Sequence, residues 1–449
     1  MPDSDPHSAP LRPGQPRVIP RPEHILSRAQ ISEQALRVLY RLRQEQFQAH
    51  LVGGGVRDLL LGHEPKDFDI ATDATPEQVR DVFRNCRLIG RRFRLAHVYF
   101  GRDIIEVATF RGTGSDTDVE GSADADRQVR NGLIVRDNIY GTIEEDALRR
   151  DFTINALYYD IADFALIDYV GGLDDLQAGR LRLIGDPVKR YREDPVRMLR
   201  AVRFACKLGF SIEPLTERPL FELGHLLRDI PAARLFDELL KLFHSGYGLE
   251  VFEKLRHYGL FGHLFPATEA CLACEEQDFP ITFVSRGLAN TDTRLAEDKP
   301  VTPAFLYAIL LWEPVRRQWG ELQARGLESH EAMQVAASRV CVEQQPLVAI
   351  PKRFGLLMRE IWTLQPLLER RDGKRPYRLI THPRFRAAYD FLVLRAQAGE
   401  ADPELATWWT RFQDASSQER ARMTDPSARR KRRSRRRKPA IASSSETAS

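Results

Sequence analysis

The distribution of apolar residues changes character once along this chain, near Glu144, and that change constrains the fold more than any other feature. Before it, short apolar runs are broken by glycine turns. His50-Leu51-Val52 reads as a short strand, Gly53-Gly54-Gly55 as a turn, and Val56–Leu61 as a helix closed by Gly62. Phe68–Ala71 is strand-like. Thr75-Pro76-Glu77-Gln78 combines an N-cap threonine, a proline at the first helical position and a glutamine at the capping-box position, so a helix is expected to about Asn85. Ala96–Phe100 and Ile104–Phe110 read as strands joined by Gly101-Arg102-Asp103 in a hairpin. Upstream, Ile31, Ala35, Leu36, Leu39 and Leu42 recur at helical spacing. After Glu144 the pattern is largely helical to about Arg422, with clear helices over Asp194–Leu208 and Leu235–Phe243. The expected fold class is therefore α+β: a head with a mixed sheet, then an all-α remainder and a disordered basic tail.

Composition narrows the setting. At 449 residues the chain exceeds one ordinary core, and two to four domains are expected. The longest uninterrupted apolar run, Ala304–Trp312, spans nine residues. A membrane-crossing helix needs about 20, so no membrane insertion is expected. The N-terminus has no basic stretch followed by an apolar one, which argues against a secretory signal. Five scattered cysteines suit a reducing cytoplasm rather than a disulfide scaffold. Cys271 and Cys274 lie near His257 and His263, but no second cysteine pair accompanies them and the spacing matches no familiar zinc site. Trp312, Trp319 and Trp362 sit in apolar helical patterns and read as core.

The net charge of +4 is unevenly placed. Arg429, Arg430, Lys431, Arg432, Arg433, Arg435, Arg436, Arg437 and Lys438 put nine positive charges in one run without an acid, leaving the other 439 residues at about −5. So dense a cationic run contacts phosphates whatever their sequence, and nucleic-acid binding is expected of it. Residues 1–22, with seven prolines, read as a flexible arm, and 112–132 as a mobile loop rich in Gly, Ser, Asp and Thr.

The residues that can carry chemistry lie in the head. Asp67 and Asp69 flank Phe68, so strand alternation turns both carboxylates to one face and Phe68 to the core. Adjacent anions repel, and a divalent cation that prefers oxygen ligands, such as Mg2+, relieves the repulsion; a solvated turn is the plainer reading. Upstream, the turn Gly53-Gly54-Gly55 before Val56-Arg57-Asp58 lets backbone N–H groups approach a phosphate, and Arg57 can add a fork of donors. An ordinary strand–helix turn also looks like this. Glu106 interrupts an apolar strand, either as a solvent-facing edge residue or as a third ligand. Arg149-Arg150-Asp151-Phe152-Thr153-Ile154-Asn155-Ala156 offers donors for phosphate, with Asp151 and Asn155 suited to ribose hydroxyls, or else a salt-bridged helix start. Glu193 and Arg197 have the spacing of a helix ion pair. Asp194 and Arg197 on one face can instead bond the Watson–Crick edge of adenine, the acid accepting from the exocyclic amine and the arginine donating to a ring nitrogen.

In this order, Gly-Gly-x-x-Arg-Asp (53–58), Asp67-x-Asp69, Glu106-x-x-x-Phe110-Arg111, Arg149-Arg150-Asp151-Phe152-x-x-Asn155-Ala156 and Glu193–Phe204 resemble the class II nucleotidyltransferases. That family comprises bacterial poly(A) polymerases and the tRNA CCA-adding enzymes of bacteria and eukaryotes. The resemblance runs from roughly His24 to Leu242. It implies a polymerase-beta-like head over 23–180, a helical nucleobase-recognition segment over 181–265, a helical RNA-binding body over 266–425, and a basic tail over 426–449. It also implies transfer of a nucleoside monophosphate from ATP to an RNA 3′-hydroxyl, with two Mg2+ ions held by Asp67 and Asp69 and Glu106 as the third carboxylate. Gly53, Gly54, Gly55, Arg57, Arg150, Asp151 and Asn155 would bind the nucleotide, and Asp194 and Arg197 would read its base.

Within the family, the stretch Leu88–Val98, the lead-in Val18–Arg28 and the basic tail are similar to bacterial poly(A) polymerases. The expected function is template-independent polyadenylation in mRNA processing and RNA decay. RNA 3′ ends are the expected partner, and RNA-decay proteins are further candidates. His97 is assigned no catalytic role. CCA addition to tRNA is the alternative, and a non-catalytic RNA-binding protein on the same scaffold is a second.

Overall fold

The computed structural model of the chain describes residues 15–90, 94–112, 127–130, 133–137, 139–276 and 279–425. The first part of the proline-rich arm, Arg91–Phe93, most of the stretch 112–132 and the basic tail lie outside the described residues. The chain forms two compact units, 1–227 and 228–449, so the boundary falls inside the segment 181–265.

In the first unit, β1 (Arg17–Ile19), β2 (Ala49–Val52), β3 (Asp69–Thr72), β4 (Cys86–Ile89), β5 (Leu95–Phe100) and β6 (Asp103–Thr109) come first. A separate hairpin, β7 (Arg127–Arg130) and β8 (Leu133–Asp137), comes next, and then β9 (Leu157–Asp160) and β10 (Leu166–Asp168). The main sheet has eight strands in the order β1-β10-β9-β2-β3-β6-β5-β4. Only the β3–β6 pair is parallel. That one parallel pairing brings two distant acidic stretches side by side.

Helices pack against the sheet. Helix α1 (Glu33–Gln44) is capped by Ser32, whose hydroxyl accepts from Ala35 N–H at 3.2 Å, and it buries Ala35, Val38, Leu39 and Leu42. A fully buried leucine of this kind stabilises by about 1.5–3 kcal/mol. Helix α2 (Gly54–Leu60) begins directly after the turn at Gly53. Helix α3 (Pro76–Val82) has the capping box expected of Thr75 and Gln78 but stops three residues short of Asn85, because Phe83 turns extended and buried and the chain enters β4. Helix α4 (Ile143–Arg149) places Ala147 in a cluster with Val52, Ala71, Phe110 and Tyr158.

Three expectations change. The end of the arm is not loose: Arg17–Ile19 pairs with Leu166–Asp168 at the sheet edge. Part of the expected loop is ordered as β7. And β9 and β10 lie where a helical pattern was expected. Leu157, Tyr158 and Tyr159 are fully buried, and a run covered on both faces shows no alternation to read.

The second unit is helical apart from the two-residue strands Glu275–Glu276 and Phe279–Pro280 among the described residues. Trp312 and Trp362 are fully buried and Trp319 nearly so, as the core reading expects. No helix among the described residues is long and apolar enough to cross a membrane.

Candidate active site

Strand register assembles the site. One row of directly opposed residues crosses the whole sheet: Arg87, His97, Glu106, Asp69, Val52, Tyr158, Ile167 and Val18. Opposed residues share a face, so Glu106 and Asp69 are immediate neighbours although 37 positions apart in the chain. His97 Nε2 lies 3.4 Å from Glu106 Oε2 on the outer side of this pair. Asp69 is half-buried and opens β3, while Asp67 is exposed in the irregular segment just before it. Phe68 does not enter the core as expected. It is half-buried and packs over the glycine turn, its Cδ1 3.6 Å from the position a Cβ on Gly55 would take.

The glycine turn closes on the same acids. Gly53 has φ 76° and ψ −136°, a conformation that side chains disfavour. A Cβ there would sit 3.6 Å from Arg150 Nη1 and 3.9 Å from Asp69 Oδ2. Gly53 therefore leaves open the space between a cation and a carboxylate. Arg150 is anchored at its other edge: Nε and Nη2 donate to Asp146 Oδ2 at 3.1 and 2.9 Å, and Nε also donates to the Tyr158 hydroxyl at 3.0 Å. Burial opposes its charge, but Tyr158 and Asp146 outweigh burial and hold the guanidinium above its usual range.

The carboxyl of Asp69 responds to this surrounding. Burial first, and then the charge of Glu106, push it up to about 6; Arg150 pulls the other way and Asp67 adds to the rise. The group is short of positive charge. Among the described residues no three acidic, histidine or cysteine side chains already surround a common point at ligating distance. What converges on one face is charge, and carboxylate oxygens with excess negative charge fit a hard divalent cation.

The stretch Arg149–Ala156 is a helix end, not a helix start. Arg150 comes directly after α4 in an extended conformation, and Thr153–Asn155 makes a single 3-10 turn. Asp151 accepts from Arg200 Nε at 2.7 Å and from Phe152 N–H at 2.8 Å. Burial opposes its charge, yet Arg200, Phe152 N–H and Asn155 draw it down to about 2. Asn155 Oδ1 accepts from Arg57 Nη1 at 2.7 Å. Arg57 was expected to face a phosphate, but it is 3% exposed and its Nε and Nη2 both donate to Asp58 Oδ1, at 2.8 and 2.6 Å. It braces α2 against Asn155, because a guanidinium out of water must satisfy its donors inside the protein.

Beyond the short helix α5 (Gly172–Gln177), the base-recognition residues sit at a break between α6 (Pro187–Glu193) and α7 (Val196–Leu208). Asp194 was expected within one continuous helix. Its φ of −149° ends α6 instead, because the adjoining Pro195 disfavours a helical conformation there. Arg197 N–H still bonds Asp194 C=O at 3.0 Å, so the pair stays together. Arg197 Nη1 lies 3.4 Å from Glu193 Oε2 and donates to Arg190 C=O at 2.6 Å. Burial, then Arg190, lower the Arg197 guanidinium to about 10, against the pull of Asp194 and Glu193.

Sequence reasoning missed Asp146, Tyr158, Arg190 and Arg200. Asp146 is readable in part, four residues before Arg150 on a capped helix. The partnership of Arg200 with Asp151 spans 49 positions and leaves no local signal. The expected RNA-binding residues Arg429–Lys438 lie outside the described residues.

Three families match the chain: "Poly A polymerase head domain" over 49–182, "Probable RNA and SrmB-binding site of polymerase A" over 209–272 and "Polymerase A arginine-rich C-terminus" over 325–440. The chain is 52% identical over 433 residues to the Poly(A) polymerase I of Salmonella typhi, covering 94% of this chain and 92% of that protein. It is 37% identical over 213 residues to the CCA-adding enzyme of Bacillus pumilus, covering 47% of this chain and 50% of that one. A crystal structure of the Bacillus stearothermophilus CCA-adding enzyme in complex with CTP resembles the fold with a TM-score of 0.52 at 26% identity, covering 85% of this chain and 82% of that one.

Proposed function

The chain belongs to the poly(A) polymerase family, and on that premise we propose that it extends RNA 3′ ends with AMP from ATP, without a template, through the site around Asp69. The observation that carries the reading is the parallel register of Asp69 with Glu106 beside the open space at Gly53. The RNA 3′-hydroxyl gives up its proton to solvent as its oxygen forms a bond to the α-phosphorus of ATP; the α–β phosphoanhydride breaks, and pyrophosphate leaves with the electron pair. Asp67 and Asp69, with Glu106 as the third carboxylate, would hold two Mg2+ ions, which when bound would supply Lewis-acid activation of the 3′-hydroxyl and neutralise charge on the triphosphate. Gly53 admits the phosphates close to the backbone, and Arg150, its orientation fixed by Asp146 and Tyr158, faces them with a preset charge. Asp151 and Asn155 would reach the nucleotide through the lone pairs and amide hydrogens that their bonds from Arg200 and Arg57 leave unused. Asp194 and Arg197 read the base.

Polyadenylation over CCA addition is supported by the extent of the likeness, 94% of the chain against 47%. The basic tail suits long RNA of varied sequence, and roles in mRNA processing and RNA decay in the cytoplasm fit that substrate. Purified protein incubated with Mg2+ and each nucleoside triphosphate singly should build long A-tails on unstructured RNA. Stopping after CCA on a tRNA lacking that end would replace the reading by CCA addition, and no incorporation at all would leave an RNA-binding protein.

A further inference from the structure

Arg190 occupies none of the positions expected to touch nucleotide, yet it joins the two halves of the candidate site. Its side chain is 14% exposed. Nη2 donates to two successive carbonyls, Arg149 C=O at 2.6 Å and Arg150 C=O at 2.7 Å, while Nη1 donates to Glu193 Oε2 at 2.9 Å. Those carbonyls end α4, where a helix leaves acceptors unsatisfied and favours a cation. The main chain of the same residue faces the other way. Arg190 C=O accepts from Arg197 Nη1 at 2.6 Å and from Asp194 N–H at 3.2 Å. One residue thus fixes Arg150 from behind by its side chain, and both Asp194 and Arg197 by its carbonyl.

We propose that Arg190 is a positioning residue that sets the distance between phosphate-facing Arg150 and base-facing Asp194 and Arg197, and thereby the preference for ATP over CTP. This rests on the nucleotide reading above. A triphosphate held at Arg150 presents its base at a fixed reach, and a pyrimidine edge falls short of a donor and acceptor placed for a purine. If the spacing relaxes, Asp194 and Arg197 can track the smaller base and discrimination falls. Lysine in place of Arg190 keeps the charge but has no planar fork to span two carbonyls and Glu193 together.

The test compares wild type, Arg190→Lys and Arg190→Met as full chains, each checked for folding by thermal melt. ATP and CTP are titrated separately against each protein without RNA, and KM and kcat for each nucleotide are measured on RNA. In Arg190→Met the KM for ATP should rise about tenfold and the ATP-to-CTP ratio of kcat/KM fall about tenfold, with kcat at saturating ATP within about threefold of wild type. Arg190→Lys should lie between the two. If Arg190→Met does not fold, the lysine variant decides. Unchanged KM and ratio in the folded variants would overturn the proposal, as would a loss that falls equally on ATP and CTP. A wild-type chain that binds both nucleotides yet adds no AMP to RNA would sink the adenylyl-transfer reading instead, and the two titrations would still decide the role of Arg190.

Discussion

Asp69 in the first unit and Glu313 in the second are both carboxyls pushed up by burial and then by a second carboxyl, to about 6 and about 8. They differ in what answers the charge. Glu313 Oε2 accepts from Arg316 Nε and Nη2 at 3.0 and 2.9 Å. Its carboxyl also hydrogen-bonds that of Glu400, which requires a retained proton, and Glu400 accepts from Trp312 Nε1 at 2.6 Å. Arg395, 4% exposed, lies 4.9 Å above the Trp312 ring. Two guanidinium groups of the same helical unit, Arg316 and Arg395, face these two carboxyls. Asp69 instead faces Glu106 and Asp67 with only Arg150 opposed among the described residues, and Arg150 already serves Asp146 and Tyr158. Buried acids that are compensated internally hold a structure together; acids left short of positive charge have capacity for something brought from outside.

That contrast can be broken at its strongest point first. Asp69→Asn should lower AMP transfer by about a thousandfold or more while leaving the melting temperature unchanged or raised, because it removes a charge the fold does not need. Primer-extension assays with a melt on the same sample read both, and full activity in this variant would remove Asp69 from the site. The opposite outcome is expected in the second unit. Arg395→Met strips compensation from Glu400 and should cost about 3–5 kcal/mol in denaturant unfolding, with transfer per folded molecule within about twofold of wild type.

Proton linkage gives a smaller effect with a definite sign. Glu313 keeps its proton to about 8 when folded, against an ordinary value of 4.5. Between these values the native state binds more protons than the unfolded chain. Stability from this group is therefore fully present below about pH 4.5 and is lost as pH rises through about 8, at a slope of up to about 1.4 kcal/mol per pH unit. Glu313→Gln should flatten that part of the profile in unfolding curves taken between about pH 5 and about pH 9. An unaltered slope would assign the pH dependence to other groups. The smallest effect concerns the basic run Arg429–Lys438. Removing residues 429–449 should weaken RNA binding about tenfold at physiological salt and reduce its salt dependence, without changing transfer on saturating primer. Equal salt slopes with and without the tail would show that RNA is held elsewhere.

Much of the head was legible because its signals are local. The Thr75 capping box, the Gly101 hairpin and the glycine turn each depend on a few neighbouring residues, and each lies where the pattern puts it. The strand Leu157–Asp160 was not legible, since burial on both faces erases periodicity. The break at Asp194 was readable from Pro195 but was outweighed by the strong helical spacing of Val196–Leu208. Arg57 looked like a free donor because nothing nearby in the chain reveals that Asn155 lies against it.

By itself, the sequence determined which chemical groups are present and how each is presented locally: two carboxylates either side of Phe68, an acid within an apolar strand, a turn only glycine can make at Gly53, and a basic run apart from a mildly acidic body. Tertiary structure decided which of them meet. The parallel pairing of β3 with β6 sets Glu106 beside Asp69, and the reach of Arg190 ties Arg150 to Asp194 and Arg197. The reason is physical: dihedral preference and side-chain alternation act over a few residues, whereas strand register and the compensation of buried charge are settled between segments far apart in the chain.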